Sequence, residues 1–100
     1  MRRFELQAAF EEIVGKGHAH FQPPASKFIS YPAIIYSRRE IRNDHADNGV
    51  YKQDTSYDVT VIDKDPDSEI VKKVSQLPKC SHERFTFIDN LNHDYFVIYE

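Results

Sequence analysis

Between Tyr51 and Leu77 the spacing of apolar positions changes from two residues to about 3.6, which marks a strand feeding a helix. In Ser56-Tyr57-Asp58-Val59-Thr60-Val61-Ile62, the residues Tyr57, Val59 and Val61 share one face of an extended segment. After the turn Asp63-Lys64-Asp65-Pro66-Asp67-Ser68, the residues Ile70, Val71, Val74 and Leu77 form one stripe of a helix. Two apolar faces joined by so short a turn must pack on each other or on a shared core. Asp65 is expected as the N-cap with Pro66 at the first helical position; Asp67 and Glu69 sit where the helix dipole favours negative charge. Leu77-Pro78 stops the helix.

The same pattern places the other elements. Leu6, Ala9, Phe10, Ile13 and Val14 recur at helical spacing, which predicts a first helix over 4–14, ended by Gly15 and Gly17. A short extended piece follows at His18-Ala19-His20-Phe21, before Gln22-Pro23-Pro24 and a connecting loop. Tyr31 to Ser37 is β-rich and continues, more polar, to Arg42. Residues 43–49 are a turn by composition, Asn48-Gly49 being a strong hairpin signal, and the chain returns from Val50. Residues 32–62 are thus expected to form one long hairpin, with an apolar root (Ile34, Tyr36, Tyr57, Val59, Val61) and a polar tip. Near the C-terminus, 80–83 are expected as a loop, 84–88 as a strand, 89–92 as a turn and 93–99 as the last strand. The fold class is α+β: a single antiparallel sheet of about four strands, two helices packed against it, and a long central β-hairpin.

Length and charge narrow the possibilities further. One hundred residues make a single domain, 1–100. With 40% hydrophobic and 29% charged residues the chain is globular, not disordered. Net charge is −3, and the one local basic cluster, Arg38-Arg39 with Arg42, is interrupted by Glu40, so no direct nucleic-acid recognition is expected. Cys80 is the only cysteine, which excludes an internal disulfide and suits a reducing compartment. The N-terminus has no apolar stretch of the signal-peptide kind, and no run approaches the roughly 20 residues of a membrane span, so no membrane partner is expected.

Candidate chemistry fails on spacing. Asp63-x-Asp65-x-Asp67 resembles the start of a calcium loop, but the sixth and twelfth positions are Ser68 and Val74 where Gly and Glu are required. His18-x-His20, Cys80-x-His82 and His93-Asp94 offer metal-ligand types, yet structural zinc wants four converging ligands and more than one cysteine. No Gly-x-Ser-x-Gly elbow or Gly-rich phosphate loop exists. The expectation is no catalytic residue, no metal and no cofactor. The exposed features (the hairpin tip over 38–53, the Tyr-rich strands and the Pro-Pro loop) are where another subunit could dock. Arg38, Arg39, Ile41, Arg42, Val50 and Tyr51 are the candidate interface residues.

Several segments carry a family resemblance over nearly the whole chain: Phe21-Gln22-Pro23-Pro24, Tyr31 to Ser37, Tyr57 to Asp63 with Asp65-Pro66-Asp67-Ser68, Leu77-Pro78-Lys79-Cys80, and Asp89 to Asp94. Together they resemble small proteins of phages and prophages of Gram-positive bacteria, of the tail-terminator or head–tail joining kind found in long-tailed phages. The resemblance implies an α+β subunit that assembles with itself into a ring, commonly a hexamer, which caps the tail tube and presents a docking face to the head connector. Its setting would be the bacterial host cytoplasm during assembly and the neck or tail of the mature virion. Other expectations are a different minor virion component, such as a head-completion or connector protein, and, from another class, a metal-dependent enzyme using the histidines and Cys80.

Overall fold

The computed structural model describes residues 1–46 and 49–100, and only the backbone over 42–46 and 49–53. Its elements are α1 (Arg3–Val14), β1 (Ala19–Phe21), β2 (Ala33–Ala46), β3 (Gly49–Asp63), α2 (Glu69–Ser75), β4 (Cys80–Ile88) and β5 (Leu91–Tyr99). The class is α+β, as the pattern implies, but the sheet has five strands in the order β1-β2-β3-β5-β4 and is mixed. The fifth strand is the short Ala19–Phe21 segment, β1. It lies parallel to β2, with Ala19 opposite Ile34 and Phe21 opposite Tyr36, because Pro23 and Pro24 carry the chain back over a connection too long for a hairpin.

Period-two alternation sorts the sheet into a covered and an open face. On the covered face, Ile34 pairs with Val61, Tyr36 with Val59, Val59 in turn with Phe96, and Tyr57 with Ile98. Leu6 and Phe10, one turn apart on α1, and Val74 of α2 close over these residues to form the core. Each such side chain contributes about 1.5–3 kcal/mol by leaving water. Phe10 meets Tyr36 edge-on at 5.0 Å, and Tyr36 meets Tyr57 at 6.4 Å. The Tyr36 hydroxyl donates to Gln7 Oε1, and Gln7 Nε2 donates to Ala19 O at 3.1 Å, so one polar side chain ties α1 to both β1 and β2. Gly15 closes α1 at φ 101°, its N–H donating to Glu11 O at 2.8 Å.

Four boundaries differ from the sequence expectation. The N-cap of α2 is Ser68, not Asp65: Ser68 Oγ accepts the Ile70 N–H at 3.2 Å and donates to Asp63 Oδ2 at 2.7 Å. The aspartates instead fold the turn, Asp65 N–H donating to Asp63 Oδ1 and Asp67 N–H to Asp65 Oδ1. Residues 80–83 form the start of β4, where Cys80 pairs with Ile98 and a bulge sits between His82 and Arg84. The closing turn is only Asp89-Asn90, at φ 53° and 63°, the positive values that a two-residue type I′ hairpin demands. In the long hairpin β2 runs to Ala46, further than expected; Asp47 and Asn48, the core of the expected turn, lie outside the described residues.

Candidate assembly surfaces

The β2–β3 hairpin outruns the sheet that supports it. On one side β1 ends opposite Tyr36, and the last tie is Gln22 Oε1, which accepts the Arg38 N–H at 3.2 Å. On the other side the β3–β5 ladder ends at Ser56–Tyr99, followed by the Glu100 N–H donating to Thr55 O at 2.8 Å. Beyond these points β2 and β3 pair only with each other among the described ladders, as in Ile41–Thr55 and Arg42–Asp54.

The six candidate interface residues all lie on this hairpin, spread along its backbone from Arg38, opposite Tyr57, to Val50, opposite His45. Arg38 is exposed and lies opposite Tyr57. Arg39 is on the open face, 3.7 Å from Asp58 and 3.8 Å from Glu40, ion pairs too exposed to stabilise much. Ile41 is an apolar side chain left 43% exposed. Of Arg42, Val50 and Tyr51 only the backbone is described: Arg42 and Val50 lie in regular register, and Tyr51 falls at the shift between Asp44 and His45. Their side chains lie outside the described residues.

The residues weighed for chemistry are dispersed. His18 Nδ1 is 3.0 Å from Pro32 O, and His20 is buried with Nε2 unpartnered. Burial, with the positive charges of Lys27 and His18 adding to it, holds His20 below its ordinary value of 6.5. Cys80 is half-buried, and burial alone pushes its thiol up to about 11, far from a thiolate at neutral pH. Two residues on, His82 Nε2 lies 3.1 Å from Asp94 Oδ1, its ring edge-on to Phe96. His93 Nδ1 sits against Leu91 O. No group of three or more His, Cys, Asp or Glu converges among the described residues. None of their helices is long and apolar enough to cross a membrane.

Two surfaces escaped the reading of the sequence. On the open face, Arg39, Asp58, Glu83, Arg84, Tyr95 and Val97 line a shallow depression of about 270 Å³, with the Arg84 guanidinium 4.5 Å over the Tyr95 ring. The other is β4 itself. Phe85, Phe87 and Ile88 are 53%, 61% and 50% exposed on the free edge of the sheet. The alternation Arg84-Phe85-Thr86-Phe87-Ile88 identifies a strand, but nothing local says that no further strand flanks it. Phe28, in the loop after the two prolines, is also bare. A scan against models of protein families matches none, and a search of curated proteins finds no match.

Proposed function

We propose that this chain is a structural subunit of a phage neck or tail, a tail-terminator or head–tail joining protein, which works by ring assembly and docking and not by catalysis. The observation that carries the reading is the length of the central hairpin. Its strands have 14 and 15 residues against 9 in each of β4 and β5, and its outer part has no flanking strand among the described ladders. A two-stranded ribbon is marginal in water, so contact with a neighbouring subunit would stabilise it. A ring uses two different surfaces of each subunit, and the hairpin would be one of them. The resemblance to phage proteins supplies the setting: the host cytoplasm, then the virion, with tail tube and head connector as partners.

Ile41→Asp tests the reading. Ile41 is exposed, so the circular dichroism spectrum should match the parent, while ring species should vanish from sedimentation velocity runs with purified tail tubes. A variant that still forms rings would remove the hairpin from the interface. A parent that neither oligomerises nor binds tubes would remove the function.

A further inference from the structure

We propose that the free edge of β4 is a second, independent interface, at which two copies of this chain pair antiparallel across a two-fold axis at Thr86 and join two five-stranded sheets into one of ten strands.

The backbone supplies the first reason. Ile88 and Leu91 flank the two-residue turn and so exchange both of their backbone bonds. Counting back along the alternating ladder, Thr86 and Arg84 also face β5, which turns the N–H and C=O of Phe85 and Phe87 outward to the free edge. Those groups need another strand or water.

The side chains say which strand. Around Thr86 the sequence is palindromic in character, with Phe at both neighbouring positions. An isologous contact requires this self-complementarity, since residue i must meet j and j must meet i. With Thr86 opposite Thr86 of the second copy, each Phe85 lies opposite a Phe87, and the outward groups of those residues bond one another. Four phenyl rings then gather on the covered face of the joined sheet, with the two threonines on the other face; Arg84, its charge already over Tyr95, lies opposite Ile88. Pairing centred on Arg84 would instead set like charges opposite each other, and pairing centred on Phe85 would put Phe87 opposite Glu83.

Area and edge protection agree. Three half-exposed apolar side chains offer about 300 Å² per copy, taking about 200 Å² for a large side chain. The paired backbones add to that, which brings the contact toward the lower end of specific interfaces and predicts a reversible dimer. The opposite edge of the sheet, β1, has three residues, whereas 84–88 has neither proline nor lysine, and its only bulge precedes it.

The test is sedimentation across protein concentration, joined to a cysteine cross-link. In an Ile41→Asp background, where the hairpin contact is removed, the protein should pass from monomer to dimer as concentration rises, and adding Phe87→Lys should keep it monomeric with an unchanged circular dichroism spectrum. Thr86→Cys in a Cys80→Ser background should form a disulfide-linked dimer under mild oxidation, since facing residues of a non-bonded pair are about 4.5 Å apart at Cα. Arg84→Cys in the same background should not. Ile41→Asp protein that stays monomeric, association that survives Phe87→Lys in that background, or equal cross-linking at 84 and 86 would each overturn the proposal. With the hairpin contact removed, none of these outcomes depends on the ring, and Ile41→Asp should leave the Thr86→Cys cross-link intact.

Discussion

β4 and β5 are the two arms of one hairpin, equal in length and both rich in aromatic rings, yet they have opposite fates. β5 lies between β3 and β4, and Phe96, Val97 and Ile98 are all buried, Val97 on the open face. β4 has β5 on one side only, and its rings stand in solvent. β5 carries a continuous apolar run, Tyr95 to Tyr99, as a strand covered on both faces does, whereas β4 alternates. Yet Phe85 and Phe87 are as apolar as Phe96, and position in the sheet decides which of these rings hold the fold and which remain available for contact.

Substitutions should separate the arms by several kcal/mol. Phe96→Ala removes a fully buried ring packed against Val59 and the core, and should cost about 3–5 kcal/mol in urea unfolding. Phe87→Ala, at low protein concentration, should stay within about 0.5 kcal/mol of the parent. Comparable losses would mean that the β4 rings are part of the core.

A smaller effect tests one cross-strand pair. Asn92, opposite Phe87, is buried and donates from Nδ2 to the carbonyls of Asp63 at 3.1 Å and Lys64 at 3.2 Å, tying β5 to the turn before α2. Asn92→Ala should cost about 1–3 kcal/mol by leaving those carbonyls unpaired, and an unchanged unfolding midpoint would show that water replaces the amide.

The contrast is not simply edge against centre, because the other edge, β1, buries Ala19 and His20. The folded chain holds the His20 ring neutral, with the pKa lowered, while the unfolded chain takes up a proton as pH falls through 6.5. This contribution to stability is therefore complete above that pH and is lost progressively below it, until the folded ring also protonates. The difference in urea midpoint between the parent and His20→Leu should shift against the parent from about pH 7.5 to about pH 5.5. A difference constant across that range would mean that the ring titrates as it does in water.

Most of the covered face was legible in the sequence. Tyr57, Val59 and Val61, the Ile34–Tyr36 root and the Leu6–Phe10 pair are strict periodic signals, and the structure buries all seven ends and members named. The start of α2 was misplaced because Asp65 and Ser68 are both good caps, and only the tertiary bond from Ser68 to Asp63 separates them. The parallel docking of β1 was not legible, since a three-residue strand has no period to detect. The β4 edge was missed for a related reason: exposure of a strand depends on which strands flank it, a property of the whole chain. Of the candidate interface, the sequence located the hairpin but could not show where its flanking strands stop.

The sheet order has a kinetic consequence. β2–β3 and β4–β5 each join neighbours in the chain, whereas the β3–β5 ladder brings the two hairpins together across α2. Closing that longer loop costs entropy before any contact across it forms, so this ladder should set the refolding rate. In stopped-flow refolding, Phe96→Ala should mainly slow folding, while Ile34→Val, on the β1–β2 ladder, should mainly speed unfolding. Until β3 and β5 meet, each nascent hairpin carries unpaired backbone along a future inner edge, and that interval is when the chain is most open to aggregation.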